Sequence, residues 1–479
     1  MALARPVAPS GSRDRALTVL VVTLAQFMAV MSTSSVSVAL PTIGRDLQAS
    51  STSLEWIVDA YVIVYASLLI AGGVLSDRRG RKGMFMIGVT LFGFGSLVSG
   101  LAPTVGWLIG GRVVQGLGPA IVTPTSLAII SATFDDPRER ATAIGVWSSG
   151  SGLALALGPA IGGLLVVAIG WRSVFLLNVP LAVVIIVLGK RLIPLIPRTR
   201  AATGFDWTGA FLTTLGVGLL TFGLIEGPKR GWGSALIIGS FVLAALGLAV
   251  FVAWENRRTA PLIDVSLFRR APFTVANLAG LTVFFAFIGA IVYLSAYFQQ
   301  VQGRSALGAG LAVLPIGAGF FVSAQLSGRI VGRLGRRLPM VLGLGLCGVA
   351  MIGLLRLRPD SPISQVWWDL LAVGFGGGMS LTPMTATAMA AVRSERAGMA
   401  SAVHNSMRQV GQALGVAVLG SLVYASVAGG HAGGGRLAGS QADAFVDGLH
   451  HAVLVSGGCL LAAALLAGAL IPSGLLDRA

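Results

Sequence analysis

The stretch GGVLSDRRGRK, at residues 72–82, is a short charged segment between two long apolar runs. Gly73 and Gly80 permit a tight reversal of the chain, and Asp77 is followed by four cations. The runs on either side, 53–75 and 83–102, are each mostly apolar over about 20 residues, the length that a helix needs to cross a bilayer. We therefore predict that the stretch is a loop joining two membrane-spanning helices.

The whole chain has the composition of an integral membrane protein. Of its 479 residues, 55% are hydrophobic and 11% are charged, whereas soluble domains are about 25% charged. The first apolar run is too long for the apolar core of a signal peptide, so it is predicted to remain as helix 1. We predict fourteen spans, at residues 16–40, 53–75, 83–102, 106–132, 141–169, 172–190, 206–225, 233–254, 272–297, 306–326, 338–356, 363–391, 398–426 and 449–471.

A formal net charge of +16 raises the question of a nucleic-acid partner, and the distribution of the cations answers it. With the amino terminus inside, 24 of the 34 Lys and Arg residues fall in inward segments and 8 in outward segments. Arg112 and Arg408 lie within spans. Such a bias is typical of the positive-inside rule, so it indicates topology rather than nucleic-acid binding. Both termini are predicted to be cytoplasmic.

The sequence predicts neither a metal site nor a cofactor. Cys347 and Cys459 lie in different spans, and the residues His404, His450 and His451 lack the spacing of metal ligands. Nucleophile–base sets and phosphate-binding loops are not found in the sequence, which argues against an enzyme.

The first half of the chain recurs in the second at a shift of about 255 residues. The loop LSDRRGRK (75–82) parallels pieces of 326–337, GLGPAIVTP (116–124) parallels GFGGGMSLTP (374–383), ERA (139–141) recurs at 395–397, and LGPAIGG (157–163) parallels LGVAVLG (414–420). Spans 1–6 therefore look duplicated in spans 9–14, with spans 7 and 8 inserted. Such repeats are typical of transporters whose halves rock around a site near the membrane midplane.

Several motifs resemble the signatures of the major facilitator superfamily. They are the loop at 72–82, RVVQGLG (112–118), GLALALGPAIGG (152–163) and FLLNVP (175–180). The segments DWTGAFL (206–212), YFQQVQGRSALGAGLAVLP (297–315) and MASAVHNSMRQVGQALG (399–415) narrow the resemblance to the fourteen-helix drug:proton antiporter family.

This resemblance implies an all-α membrane fold of two six-helix bundles, related by a pseudo-two-fold axis, plus two inserted helices. The expected units are 1–200, 201–260 and 261–479. It implies a bacterial cytoplasmic-membrane protein, active as a monomer, that exports small lipophilic compounds against inward proton flow. It assigns a cytoplasmic gate to Gly73, Asp77, Arg78, Gly80 and Arg81, and an antiporter motif to Gly158, Pro159, Gly162 and Gly163. Asp77 is expected to lie against the amino-terminal end of helix 13, near Gly398.

The sequence departs from the family pattern in helix 1. The family has an acidic residue in a pattern like LDxTVVNVALP, and the matching stretch here is MSTSSVSVALP (31–41), with Ser32 at the position of the acid. Asp59 in helix 2 is the deepest acid by residue count, at a depth similar to that of Arg112 in helix 4. An ionisable group inside a span is a functional hypothesis by default. We therefore predict that Asp59, facing Arg112, carries the coupling proton, with Asp369 as the weaker alternative and a structural ion pair as the competing interpretation.

The predicted substrate cavity combines polar and aromatic residues from both halves. Helix 13 has a polar stripe that should face the protein interior, and aromatic side chains suit flat lipophilic or cationic ligands. Structural packing remains an alternative for each of them. The predicted cavity residues are Gln26, Ser32, Trp56, Tyr61, Tyr65, Tyr293, Tyr297, Asn405, Arg408 and Gln409.

Two other functions compete with proton-coupled export. The missing acid of helix 1 keeps uptake or uniport of a specific metabolite open, whereas the motif around Pro159 favours antiport by resemblance to the family. A membrane sensor without transport is the third reading. The sequence lacks the long soluble domain that would favour a sensor.

Overall fold

The computed structural model describes residues 12–196, 205–258, 261–425, 427 and 436–472, and these residues are almost entirely helical. Its helices are α1 (Ser12–Asp46), α2 (Ser51–Arg79), α3 (Arg81–Gly100), α4 (Val105–Thr133), α5 (Pro137–Ala168), α6 (Arg172–Leu192, interrupted at Leu177), α7 (Trp207–Arg230), α8 (Ala235–Glu255), α9 (Ala271–Ala296), α10 (Ala306–Leu334), α11 (Arg337–Gly353), α12 (Ile363–Ala390), α13 (Ala397–Leu414) and α14 (Ser440–Leu470). A π-helical turn, Tyr297–Val301, extends α9. Another, Gly415–Leu419, extends α13 into Gly420–Tyr424.

The apolar helices identify a multi-pass membrane protein. In the described residues, eleven helices are long and apolar enough to cross a membrane, or twelve if the bent helix α5 counts as one span. The helices α12 and α13 are not among them, because α12 is rich in Gly, Ser and Thr and α13 carries the polar stripe. The count of fourteen spans therefore stays a prediction.

The helices pack as two groups with α7 and α8 beside them. In the first group α1 packs on α5, and both α2 and α3 pack on α4. In the second, α10 and α11 pack on α12, and α9 packs on α13 and α14. The groups meet along two seams, α5 against α10 and α2 against α13. The helices α7 and α8, which were predicted as an inserted pair, pack on each other, and α7 lies along α2.

Several helices extend beyond the apolar runs from which they were predicted. The run 306–326, for example, belongs to Ala306–Leu334, and the run 449–471 belongs to Ser440–Leu470. Backbone hydrogen bonds hold a helix together whether its side chains are apolar or charged. A helix can therefore continue beyond the hydrocarbon core of the membrane, where its residues become polar and charged. We call the end of the molecule with the loops after α2, α4, α10 and α12 the basic end.

Candidate functional site

The basic end is closed at the α2–α13 seam by Asp77. The backbone N–H of Met399, in the first turn of α13, donates to Asp77 Oδ2 at 3.1 Å. Arg81 Nε donates to Asp77 Oδ1 at 3.0 Å. A Cβ on Gly398 would lie 2.7 Å from the carboxylate, so only glycine lets the acid approach the helix so closely. An anion at a helix amino terminus is stabilised by the unpaired N–H groups and the helix dipole.

Three other predicted gate residues support this contact. Gly80 has φ +107°, a conformation that favours glycine, and it allows the turn from α2 into α3. A Cβ on Gly73 would lie 2.5 Å from the carbonyl oxygen of Gly398. Arg81 reaches across the seam to the carbonyl of Ser394 and donates to the carbonyl of Ala128 at 3.0 Å. Arg78 points elsewhere, with its guanidinium carbon 5.7 Å from the ring of Phe205.

The α5–α10 seam is also tightly packed toward the basic end. A Cβ on Gly145 would lie 3.1 Å from the carbonyl oxygen of Ala324, and one on Gly328 would lie 2.9 Å from that of Ala141. Farther along, a Cβ on Gly152 would lie 2.3 Å from the ring of Phe320. Small residues therefore let both seams close at the same end of the molecule.

Two glycines of the segment 152–163 let α5 pack closely against Ser34 and Ser35 of α1. A Cβ on Gly158 would overlap Ser34 Oγ, and one on Gly162 would lie 2.8 Å from the carbonyl oxygen of Ser35. Gly163 is different, because its Cβ would only meet Val38, at 3.7 Å.

Pro159 explains the bend of α5. The two parts of the helix, Pro137–Leu155 and Leu157–Ala168, differ in direction by 43°. Proline has no N–H to donate to the carbonyl four residues earlier, and that carbonyl belongs to Leu155, where the bend lies.

Arg112 lies fully buried in a network of neutral groups. Its Nε donates to the carbonyl of Ile57 at 2.8 Å, and its Nη1 donates to Gln115 Oε1 at 2.6 Å and to Ser32 Oγ at 3.2 Å. Its guanidinium carbon lies 4.1 Å from the centre of the Tyr61 ring. Across the described part of the chain, Arg112 has no carboxylate within ion-pair distance, and its Nη2 has no hydrogen-bond partner. Ser32, which stands at the position of the family's acid, therefore lies beside Arg112.

Asp59 does not face Arg112, and the predicted pairing is wrong. Asp59 Oδ2 lies 2.7 Å from Lys229 Nζ at the end of α7, and Lys229 also lies 3.2 Å from Glu55 and 3.2 Å from Glu226. The cause is the rotation of α2. Ile57 and Tyr61, one turn apart on α2, both contact Arg112 of α4. Asp59 lies about 200° around the helix from Ile57 and therefore faces α7.

The remaining cavity candidates of the first half divide into two sets. Thr123 Oγ1 donates to Gln26 Oε1 at 3.0 Å and lies 3.1 Å from the hydroxyl of Tyr65, so these three form a polar cluster between α1, α2 and α4. Tyr61 donates from its hydroxyl to the carbonyl of Ala29 at 3.0 Å. Trp56 packs toward Phe222 of α7, at 6.4 Å between ring centres, rather than toward this cluster.

The polar stripe of α13 faces the interior as predicted. Arg408 is 5% exposed, donates from Nη1 to Asn405 Oδ1 at 2.8 Å and lies 4.2 Å from the centre of the Phe284 ring. Its Nε has no hydrogen-bond partner among the described residues. Asn405 is buried and donates to the carbonyl of Ser401 at 2.8 Å. Gln409, which follows Arg408 on the helix, is half-buried.

The two tyrosines predicted on helix 9 lie in the packing of the second half. Tyr297 is fully buried, and its hydroxyl donates to the carbonyl of Arg358. Tyr293 donates to the carbonyl of Val416 and packs toward Tyr424. Both hydroxyls thus have backbone partners in the second half of the chain, and a cavity role for these two residues stays a prediction.

The other titratable candidates have structural partners. Asp369 pairs with Arg356 near the end opposite the gate. His404 Nε2 lies 3.2 Å from Thr385 Oγ1, and His450 Nε2 lies 2.9 Å from the carbonyl oxygen of Leu357. No group of three or more His, Cys, Asp or Glu residues that could hold a metal ion occurs in the described ranges.

The structure adds residues that the sequence reasoning did not select. Gln115 links the two sides of the Arg112 network, because its Nε2 donates to Ser32 Oγ at 3.1 Å and to Ser96 Oγ at 2.6 Å. Its position three residues after the arginine, on the same face of α4, was the available indication. The predicted spans 206–225 and 233–254 leave Lys229 in an outward loop, but it lies in the last turn of α7.

Comparison with known proteins identifies the family. The sequence profile of the Major Facilitator Superfamily matches residues 22–416. The chain is 38% identical over 416 residues to the multidrug resistance protein Stp of Mycobacterium tuberculosis, covering 86% of this chain and 77% of that one. It is 35% identical over 421 residues to the tetracenomycin C resistance and export protein of Streptomyces glaucescens (87% and 78% covered). It is 34% identical over 461 residues to the puromycin resistance protein pur8 of Streptomyces alboniger (95% and 90% covered).

Solved structures show the same fold at low sequence identity. The human organic anion transporter MFSD10 superposes with a TM-score of 0.67 at 14% identity, covering 95% of this chain and 99% of that one. The proton:xylose symporter XylE superposes with a TM-score of 0.65 at 16% identity, covering 96% of each. Together with the long apolar helices and the bacterial drug-resistance relatives, these matches show that the chain belongs to the major facilitator superfamily of multi-pass membrane transporters.

Proposed function

We infer that this protein exports small lipophilic compounds from the bacterial cytoplasm by alternating access, in exchange for protons. The inference rests on curated relatives whose names describe multidrug resistance, antibiotic resistance and export. One observation of the structure carries it. The basic end is closed across both seams, while polar groups of both halves remain buried in the interior without full hydrogen bonding.

The topology is part of the proposal. The basic end is cytoplasmic, so both termini lie inside, and the chain crosses the membrane fourteen times. Residues 1–200 and 261–479 form the two moving bundles, and 201–260 form the inserted pair. The repeat, the charge distribution and the two seams support this division. In this reading the structure is closed to the cytoplasm, and one copy of the chain is the transporting unit.

Two buried arginines support a binding role for the interior. Arg112 on α4 and Arg408 on α13 belong to different halves, and among the described residues their hydrogen-bond partners are neutral groups. A buried cation with an unpaired N–H is costly unless another group completes its coordination. Substrate atoms that accept hydrogen bonds, such as carbonyl oxygens, would do so. The cluster of Gln26, Tyr65 and Thr123 gives the same cavity polar and aromatic surface.

Asp59 remains our candidate for the coupling proton, with Lys229 instead of Arg112 as its counter-charge. Three acids, Glu55, Asp59 and Glu226, surround Lys229, and Arg230 pairs with Glu226 at 2.6 Å. The cluster thus holds three negative and two positive charges and becomes neutral when it takes up one proton. Neighbouring carboxylates that share a site repel each other when all are ionised, so one of them takes up a proton more easily than an isolated acid. Since α7 lies along the moving α2–α13 seam, motion there can change the distance from Asp59 to Lys229.

A second candidate function is uniport without protons. The observation that favours it is Ser32, a hydroxyl beside Arg112 at the place of the family's acid. In that case the ion pairs of Lys229 with Glu55 and Asp59 would only stabilise the packing of α2 against α7.

A transport assay separates the two. Purified protein is reconstituted in proteoliposomes that contain a pH-sensitive dye and is tested against lipophilic cations, neutral antibiotics and organic acids. Antiport predicts that transport of at least one compound moves protons across the vesicle membrane and changes the dye signal. It also predicts that nigericin, which collapses the pH gradient, abolishes uphill accumulation of that compound. Transport that only equilibrates the substrate and leaves the dye signal unchanged would establish uniport.

A further inference from the structure

A cleft of about 650 Å³ opens at the basic end where α1, α5 and α10 meet. Both halves of the protein contribute to it, since α1 and α5 belong to the first and α10 to the second. Its charged lining consists of Arg15, Arg138, Arg329 and Arg333, with Glu139 as the one acid among the residues that line it.

The positive charge of this cleft is not balanced by protein groups. Glu139 pairs with Arg15 at 3.3 Å, and both side chains are substantially exposed. The other three arginines have no carboxylate within 4 Å in the parts of the chain that the structure describes. Arg138 lies on α5, whereas Arg329 and Arg333 lie on α10. Like charges therefore face each other across the α5–α10 seam.

Close packing holds these charges together. Arg329 and Arg333 lie one turn apart on the same face of α10. Between them Gly332 has no side chain, and the stem of Arg138 lies over it, since a Cβ on Gly332 would be 3.5 Å from Arg138 Cβ. An anion placed among the three guanidinium groups would remove the repulsion and bridge α5 to α10.

The walls of the cleft are apolar. They include Val19 of α1, Phe134, and Ala143 and Val146 of α5. A small inorganic anion would leave this surface unused. A phosphate that carries a hydrocarbon chain fits both parts of the cleft, and basic residues at the ends of membrane helices attract anionic headgroups.

We propose that this cleft binds one anionic phospholipid, whose phosphate lies among Arg138, Arg329 and Arg333 and whose acyl chain lies against Val19 and Val146. The bound lipid bridges the two halves and stabilises the closed basic end. This proposal does not depend on the substrate or on proton coupling, because it rests on the charge and shape of the cleft alone.

Native mass spectrometry of the full chain, titrated with phosphatidylglycerol or phosphatidylcholine, tests it. We expect one tightly retained phosphatidylglycerol and no comparable retention of phosphatidylcholine. The double variant Arg138→Gln/Arg333→Gln should bind phosphatidylglycerol roughly 25-fold more weakly, at about five-fold per arginine. The control Arg257→Gln/Arg393→Gln removes the same charge from exposed sites outside the cleft and should bind like the parent.

A second variant gives the opposite sign. Glu139→Gln removes the acid of the cleft and frees Arg15, so phosphatidylglycerol should bind more tightly than in the parent. Four results would overturn the proposal: equal retention of the two lipids, an unchanged affinity in the double arginine variant, full competition by millimolar inorganic phosphate, or displacement of the lipid by a transported compound. The third would indicate a site for free anions, and the fourth an entry path for substrate.

Discussion

Replacing Asp77 by asparagine should open the basic end. The carboxylate accepts a hydrogen bond from the N–H of Met399, and this contact exists only while α2 and α13 are together. A hydrogen bond to a charged group contributes about 1.5–3 kcal/mol and one to a neutral group about 0.5–1.5 kcal/mol. The loss of an anion at the helix terminus adds about 0.3–1 kcal/mol. The closed state should therefore lose about 1.3–2.5 kcal/mol, roughly a 10- to 60-fold change in population.

Arg81 adds little to this difference. It pairs with Asp77 from the adjacent turn of the same half, so much of that interaction persists when the seam opens. Its contact with Ser394 crosses the seam but does not involve the substituted carboxylate.

Cysteine labelling in the α5–α10 seam measures the opening. Ser148 is fully buried and lies on the same face of α5 as Gly145 and Gly152, which both contact α10. A Ser148→Cys reporter, in a chain with both native cysteines replaced, should react with a membrane-permeant maleimide about 10- to 60-fold faster after Asp77→Asn. Asp135→Asn, an exposed acid at the same end, is the control. An unchanged labelling rate in Asp77→Asn would refute the assigned role of this contact.

Three further substitutions, one of them with a matched control, test the cavity, the α1–α5 contact and the Arg112 network. Arg408→Ala should insert and purify like the parent but lose transport or change its substrate range, and unaltered kinetics for every substrate would remove this residue from the cavity. Gly162→Ala should lower the free energy of unfolding by about 1–3 kcal/mol, and with it the thermal midpoint in detergent, because its Cβ would lie 2.8 Å from the backbone of α1. The control Gly163→Ala has space for the added methyl group and should leave that midpoint unchanged. Ser32→Asp puts a carboxylate beside the buried arginine of α4 and should raise that midpoint, and a lower midpoint would show that the network has no room for an acid.

The contact of Asp77 with the start of α13 could be predicted because it depends on helix ends. The position of a loop and the start of α13 can both be read from charge and hydropathy, and family resemblance supplied the pairing of Asp77 with the region of Gly398. Similarly, the polar stripe of α13 predicted which face is buried, since a helix in lipid turns such residues inward.

The pairing of Asp59 failed because counting residues gives depth but not direction. Asp59 and Arg112 were placed at similar depths, yet two residues along α2 rotate a side chain by about 200°. The partner, Lys229, lies in the inserted helix α7, and the packing of an insert against α2 leaves no periodic pattern in the sequence. The partner of Tyr293 likewise leaves no pattern in the sequence, because the carbonyl of Val416 that accepts its hydrogen bond lies in the π-helical turn Gly415–Leu419.

The most direct test of proton-coupled export is substrate accumulation in proteoliposomes under an imposed pH gradient, compared between Asp59→Asn and Asp369→Asn. The two acids are matched, because each side chain is 14% exposed and each is paired with a cation. Exchange of labelled for unlabelled substrate without a gradient is measured in the same vesicles. We predict that Asp59→Asn loses gradient-driven accumulation and keeps exchange, while Asp369→Asn keeps both. Accumulation at the parent rate in Asp59→Asn would contradict this assignment of the proton site.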